Sequence, residues 1–516
     1  MGVALQDIQN ELSTFKLDDS LLFLNHLLGV TRGYTADPVL KPLIDAASPP
    51  VLPHIVHFLA KQLLLHASNF GVRNMNWGNF CHLSSMCINL DDPTQHDPNW
   101  KHADPSGFLE RLFHQQIGPQ QRNPVQKFGL ALGLFRDAGP IDWPKPYNLR
   151  AELESELQVT LDQFMGMGFI TFALRAAKHQ GNECMGTFTP MTLARAYDCG
   201  YEFCVPEIWS PYLDRVSATR ADFQEALATP HFQVESEFFE QFGFNPLRRS
   251  PIIKLDAKRY LAIDPELVIE RVTLGLFYDL FDRNGTHFSE RFGYAFEAFV
   301  GQLLSAVCPV DRLWSAAEWE KSDGRLNRQS QKFGDWAYIG DSCTVLLECK
   351  SMRPSLELTT LGSDHSVVAL RERVSSAVQQ LMGHSQGISD GKWEQFGLPK
   401  APTVGVVVTY GKFFTINGPF ARKKIRDALS DTGQDTIPFV VLSLDELDTA
   451  LWLVEKGYPF DALIQSLVEN EDSFNPLHKY HNRLRERAVS SFTYNKGKEF
   501  MDHLVHSTNR SSKKPV

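Results

Sequence analysis

Two carboxylates and a lysine stand close enough in one short stretch to share a reaction. Asp335 follows Gly334 at the start of an apolar run, Gly340-Asp341-Ser342 interrupts that run, and Glu348-Cys349-Lys350 closes it. Apolar residues on either side of a turn-prone tripeptide predict a β-hairpin. Whether the turn is the two-residue Asp341-Ser342 or the four-residue Gly340 to Cys343, the pairing sets Asp335 opposite Glu348, with the side chains on one face and roughly 5 Å apart. Alternation adds Lys350 to that face and turns Cys349 to the other. Side-by-side carboxylates repel each other, and the cation that relieves them best is a hard one such as Mg2+ or Mn2+. An adjacent lysine can stabilise an anionic transition state or help position and deprotonate a water. Metal, water and ammonium are together the parts of a phosphodiester hydrolysis.

The elements around this hairpin must position it. A helix from Phe288 to about Val307 carries Phe292, Phe296, Phe299, Val300, Leu303, Leu304 and Val307 on one stripe, which must pack on a sheet. Glu297 lies off that stripe, with Gly293 one turn before it and Gly301 one turn after. Glycine inside a helix costs about 1 kcal/mol relative to alanine, which suggests that something approaches closely there. Taken alone, Glu297 also fits a solvated surface glutamate beside a packing glycine. A short strand over 310–316 is expected next. After Lys350 comes a polar loop, then a helix from Ser366 to about Met382 with Val367, Leu370, Val374, Val378 and Leu381 at helical spacing. TVGVVVTY, residues 403–410, and PFVVLS, residues 438–443, read as buried strands. The second runs into a helix opening at Ser443, with Asp445 and Glu446 in its first turn. In order, the region is helix, strand, hairpin, helix, strand, strand, helix.

The first 250 residues read as mostly helical. Helices are expected around Leu21–Leu28, over 52–68, 107–116 and 124–136, over 149–178 with a weak point at Gly166-Met167-Gly168, and after Thr189-Pro190. The Asn, Asp, Pro, His and Trp between 74 and 104 are loop chemistry. A small hairpin over 251–263 precedes a helix from Asp264-Pro265 to about Asp282, which the turn 282–285 ends. His54, His57, His66, His82, His96, His102 and His114 show no metal-ligand spacing. No fixed-period repeat appears.

Bulk properties set bounds on function. A chain of 516 residues exceeds one hydrophobic core, so about two to four domains are expected. The boundaries fall at 1–248 for a helical N-terminal domain, 249–450 for the chemical domain and 451–516 for a helical C-terminal extension. A net charge of −10 argues against a surface that coats nucleic acid indiscriminately, so any polyanion site must be a local patch. The eight cysteines form no C-x-x-C pair, and Cys199 and Cys204 have no matching second pair, so reduced thiols in a cytoplasmic protein are expected. The start MGVALQDIQNELS turns polar at once and gives no secretory or myristoylation signal. The apolar run 51–66 is broken by His54, His57, Lys61 and Gln62, which reads as a core helix and not a membrane span.

The pattern resembles the PD-(D/E)XK, or restriction-endonuclease-like, nuclease superfamily. Gly334-Asp335 stands at the "PD" position, with glycine for proline, Glu348-Cys349-Lys350 at the (D/E)XK position, and Gly293-Tyr294-Ala295-Phe296-Glu297 on the preceding helix. The likeness covers roughly residues 286 to 450. It implies an α/β fold, an αβββαβ core with a large mainly helical N-terminal domain and a helical C-terminal extension. It also implies that Asp335 and Glu348 hold Mg2+ (or Mn2+), that the Cys349 carbonyl is a further ligand, and that Glu297 completes the shell directly or through a water. Lys350 would orient or activate the attacking water. Some relatives carry Gln-x-x-x-Tyr on the next helix; here Gln380 fits and His384 stands where the tyrosine would be.

Substrate contact needs cations near the site. Lys412, Arg422, Lys423, Lys424 and Arg426 form one basic stretch, and Lys479, Arg483, Arg485 and Arg487 a second on an expected C-terminal helix. Each fits either phosphate contact or a solvated helix face. The chain holds no G-x-x-x-x-G-K-[ST] motif, so ATP-driven activation would need an ATPase partner. The resulting expectation is a Mg-dependent DNA endonuclease similar to effector nucleases of bacterial antiviral defence, with a sensing, regulatory or partner-binding N-terminal half. The alternative is an inactive nuclease-fold module that binds nucleic acid or a partner protein. A homo-oligomer is left open.

Overall fold

The computed structural model describes residues 3–48, 50–90, 105–117, 123–139, 147–176, 187–198, 201–228, 240, 243–315, 335–360, 362–394, 397–430, 436–470, 473–480 and 488–511. It is mixed α/β with two small mixed sheets. Among the described residues no helix is long and apolar enough to cross a membrane.

The first sheet has the order β1-β4-β3-β2, with β1 at Thr187–Phe188, β2 at Ser217–Thr219, β3 at Ile252–Lys254 and β4 at Tyr260–Ala262. β3 and β4 are the hairpin expected over 251–263, closed by Asp256, whose Oδ1 accepts the amides of Lys258 and Arg259 at 2.8 Å. Its two faces serve two cores, as strand alternation requires. Ile252, Tyr260 and Ala262 join a core that runs from Phe128 to Leu504, while Ile253, Leu261 and Ile263 join one built mainly on residues 8–87. The larger core therefore combines helices on both sides of the five-stranded sheet in sequence, including the C-terminal helix Ser491–Ser511.

Where β4 ends, Asp264 locks the two cores together. It is wholly buried, pairs with Arg32, accepts from His57 Nε2 at 2.8 Å and caps the helix Pro265–Val272 through the Glu266 amide at 3.0 Å. Burial alone would raise its pKa, but the His57 hydrogen bond and the Arg32 charge outweigh burial and hold the carboxyl well below the usual carboxylate range.

The second sheet has the order β5-β6-β7-β8-β9. Its strands are β5 at Leu313–Ser315, β6 at Trp336–Ile339, β7 at Thr344–Lys350, β8 at Thr403–Thr409 and β9 at Phe439–Ser443. β5 pairs with β6 and β6 with β7 antiparallel; β7 pairs with β8 and β8 with β9 parallel. Val345, Leu347, Val406, Val408, Val440 and Leu442 face the helices Leu276–Val307 and Leu444–Glu455. Ala337, Leu346, Val407 and Val441 face the helices Asp364–Ser389 and Pro419–Ser430. With both faces covered, the strands are continuous apolar runs.

Several expected boundaries move. The strand expected over 310–316 begins later, at Leu313, its first residues forming a 3-10 turn, Val310–Arg312, and residue 316 lies outside the described residues. The helix expected over 264–282 breaks at Thr273 and resumes at Leu276, and Gly285 then kinks helix 276–307 at φ 55°. The helix expected over 149–178 breaks at Gln158 in the left-handed region, not at Gly166 and Gly168. Those glycines are packing positions, since a Cβ at Gly168 would collide with Val272. The helices expected over 107–116 and 124–136 each end in a π turn, Phe113–Ile117 and Leu132–Arg136.

Replacing Asp264 by Asn removes the buried carboxylate that pairs with Arg32 and His57, and unfolding free energy is expected to fall by about 3–5 kcal/mol. The depressed carboxyl stabilises the fold fully above the unfolded pKa of about 4, and that contribution is lost progressively as pH falls from there toward the folded value. Calorimetry from about pH 6 to about pH 3 should therefore show a smaller acid loss in Asp264→Asn than in the wild type.

Candidate active site

The β6–β7 hairpin builds the site. From its closed end, the ladder pairs Ile339 with Thr344 and ends with Trp336 opposite Leu347. Four residues connect the strands, and the Gly340 amide donates to the Cys343 carbonyl at 3.1 Å across Asp341-Ser342. One step further, the same register sets Asp335 across from Glu348. The Cys349 amide donates to Asp335 Oδ2 at 2.6 Å, which ties the first carboxylate to the end of β7.

Both ends of the hairpin are pinned. At the turn, Asp461 Oδ2 accepts the Ser342 amide at 2.8 Å and its hydroxyl at 2.7 Å, and a Cβ at Gly340 would collide with the Asp461 side chain. At the open end the Trp336 indole lies on helix 276–307, where a Cβ at Gly301 would collide with its ring, and its Nε1 donates to the Glu297 carbonyl at 3.2 Å. Gly301 thus admits an indole beside Glu297. Gly293 is looser: its nearest neighbour would be Ser351 Oγ at 3.8 Å.

Alternation puts Glu348 and Lys350 on the side of helix 364–389, with Leu346. Lys350 Nζ donates to Glu348 Oε1 at 2.6 Å and to Gln380 Oε1 at 2.9 Å. Glu348 is nearly covered and Lys350 partly open, with side chains 7% and 29% exposed, so the pair has one wet partner. Cys349 turns to the other side. Burial, then the negative charges of Asp335, Glu297 and Glu348, push its thiol well up, against the opposing charge of Lys350. All four charged groups therefore bear on one thiol at the carboxyl end of β7. Asp335, Glu348, Lys350 and Gln380 meet through the sheet and helix 364–389; Glu297 comes from the opposite helix, its side chain half-buried.

The ligand atoms at hand are the carboxylate oxygens of Asp335 and Glu348, which suit a hard cation, while the Lys350 ammonium has no lone pair to offer a metal. Among the described residues no group of three or more His, Cys, Asp or Glu side chains is arranged to hold a metal ion. Glu348 is engaged by Lys350, so what exists is two carboxylates on adjacent strands. His384, one turn beyond Gln380, is buried, and burial lowers its pKa to about 4, so it is a neutral imidazole at pH 7.

The expected basic patches divide. Lys412 is committed to Glu446 at 3.1 Å, and Arg422 is 1% exposed and donates to the Val468 carbonyl at 2.8 Å. Lys423 and Lys424 are exposed on helix 419–430. Lys479 sits in a 3-10 turn and donates to the Ser466 carbonyl at 2.5 Å; Arg483, Arg485 and Arg487 lie outside the described residues. Cys81, Cys87, Cys204, Cys308, Cys343 and Cys349 are free thiols, while Cys184 and Cys199 lie outside the described residues. Two neighbours of the site give no local signal in the sequence, Trp336 and Arg353, because each matters only through a helix distant in the chain.

Comparison with protein-family models, with curated proteins and with solved structures found no match.

The two glycines flanking Glu297 should respond oppositely to alanine. Gly301→Ala drives a methyl into the Trp336 ring and is expected to cost about 1–3 kcal/mol. Gly293→Ala meets only an ordinary contact at 3.8 Å and is expected to stabilise helix 276–307 by up to about 1 kcal/mol. Thermal unfolding of the two variants checks the pair.

Proposed function

We propose that this protein is a divalent-metal-dependent nuclease of the PD-(D/E)XK type, hydrolysing phosphodiester bonds in DNA. The observation that carries the proposal is the convergence of Asp335, Glu348 and Lys350 at the carboxyl end of β7, with Lys350 held by Gln380. The surrounding order supports it: a helix, three antiparallel strands, a helix and a parallel strand. In this reading Asp335 and Glu348 would hold Mg2+ or Mn2+, and the Cys349 carbonyl and Glu297 would be further ligands. Two carboxylates plus substrate oxygens are an ordinary Mg2+ environment. The bound cation supplies charge neutralisation and an acidified water. Lys350 gives up its hold on Glu348, orients the attacking water and offsets charge on the scissile phosphate. Gln380 would keep the ammonium in place if Glu348 ligated a cation.

The helical N-terminal region would sense, regulate or bind a partner, in keeping with an effector nuclease of antiviral defence acting in the cytoplasm, alone or with an ATPase. A second reading, a nuclease-fold module that binds nucleic acid or a partner protein without cutting, is favoured by one feature. Glu348 is already neutralised by Lys350 at 2.6 Å.

Incubation with plasmid, single-stranded DNA and RNA in Mg2+ separates the readings. Cleavage by the wild type is expected, with a loss of at least ~10²-fold in Lys350→Ala and Glu348→Gln at unchanged circular dichroism. Equal residual activity in wild type and Lys350→Ala would favour the binding module. In the same preparation Mn2+ is expected to raise the melting temperature of the wild type and not of Asp335→Asn, because only the folded state binds it.

A further inference from the structure

Three residues beyond Lys350, Arg353 occupies an unusual setting. Its guanidinium carbon lies over three aromatic rings of helix 276–307, 4.6 Å from the Phe277 centroid, 4.1 Å from Tyr278 and 4.4 Å from Phe281. Among the described residues it makes no hydrogen bond or ion pair, although the side chain is only half-buried and carries five N–H donors. Four other arginines among the described residues engage acids or carbonyls: Arg32 with Asp264, Arg271 with Asp279, Arg215 with Glu156 and Arg422 with Val468. Among the described residues Arg353 is met on its face by the three rings and at its edge by no acid or carbonyl.

Its backbone is fixed as firmly as its ring contacts. Tyr410 at the end of β8 donates its amide to the Lys350 carbonyl at 3.3 Å, and Gly411 donates to the Met352 carbonyl at 2.9 Å. Gly411 has no room for a side chain, since a Cβ would meet Pro354 Cδ at 2.6 Å and Arg353 Cα at 2.9 Å. The aromatic floor is part of the same core: Phe277 stacks on Tyr410 with centroids 5.3 Å apart and meets Phe292 at 4.8 Å. The guanidinium is thus held at the carboxyl ends of β7 and β8, where Glu348 and Lys350 also emerge.

We infer that Arg353 binds a non-scissile phosphate of the nucleic-acid strand being cut, which it positions against Lys350. A guanidinium stacked on rings keeps its planar fork for two parallel hydrogen bonds to phosphate oxygens, and pre-ordering lowers the entropy lost on binding. A backbone phosphate is the acceptor because the open edge is cationic and the neighbouring chemistry is phosphodiester hydrolysis. The inference rests on the nuclease reading above.

The test uses the full chain and a fluorescein-labelled DNA duplex, with anisotropy read in the absence of divalent metal from about 50 to about 200 mM salt, and cleavage read separately in Mg2+. Arg353→Gln is expected to weaken binding about 10- to 100-fold and to reduce the slope of log affinity against log salt by about 1. Its cleavage defect should fall on KM and not on kcat. Arg353→Lys retains the charge and loses the fork, so its slope should match the wild type while its affinity falls several-fold. Should Arg353→Gln fail to fold, the lysine variant decides, and wild-type affinity in it overturns the inference. Unchanged affinity and slope in a folded Arg353→Gln, with the wild type still cutting, overturns this inference and leaves the nuclease reading standing. A wild type that neither binds nor cuts DNA overturns both.

Discussion

The register of β6 against β7 is the constraint on which the site depends. Strand side chains alternate faces, so a slip of one residue would send Asp335 to the opposite side from Glu348. The open end alone does little to prevent that slip, because β6 has only four residues. The turn end supplies the missing restraint through Asp461, which receives two hydrogen bonds from Ser342 and fills the space left by Gly340. β7 is seven residues long, so the clamp acts from roughly 20 Å away. Trp336 seated on Gly301 is the second restraint, and it ties the hairpin to the helix that carries Glu297.

Charge gathers at the carboxyl end of β7 because the covering layers stop there. From Thr344 to Leu347 the strand is buried on both faces and apolar apart from Thr344. A carboxylate in that interior would carry a heavy desolvation cost. Glu348 stands one residue past it, still nearly covered, and Lys350 offsets its charge while remaining open to water. Lys350 also has a second hydrogen bond, to Gln380, that does not depend on Glu348. The Arg32–Asp264 pair, by contrast, is sealed from water on both sides.

The parts legible in the sequence are those whose cause is local. Alternation and a turn tripeptide give the hairpin and its register, unbroken β-branched runs give β8 and β9, and Ser443 with Glu446 gives the start of helix 444–455. What escapes the sequence depends on partners far along the chain. Gly166 and Gly168 look like a helix break until Val272 is seen packed on Gly168, and Arg422 looks like a phosphate contact until Val468 takes its donor. The sharing of one core by residues 128–504 has the same origin, since an apolar stripe specifies that a face is covered and not what covers it. For the candidate site, Asp335, Glu348 and Lys350 are placed by strand geometry alone. Trp336 and Arg353 need helix 276–307 folded against the sheet before either has a visible role.

That helix shows how a single backbone angle reaches the site. Gly285 has φ 55° and ψ −127°, a conformation open to glycine and costly for residues with a Cβ. The chain before it folds back, so Phe277 meets Phe288 at 5.1 Å and Phe292 at 4.8 Å, contacts that a straight helix eleven and fifteen residues on could not make. The same fold-back sets Phe277, Tyr278 and Phe281 beneath Arg353. Gly285 therefore does more than end one helix and begin the next. It turns the first part of helix 276–307 into a floor for the guanidinium and leaves the second part, with Gly293, Glu297 and Gly301, to seat the hairpin.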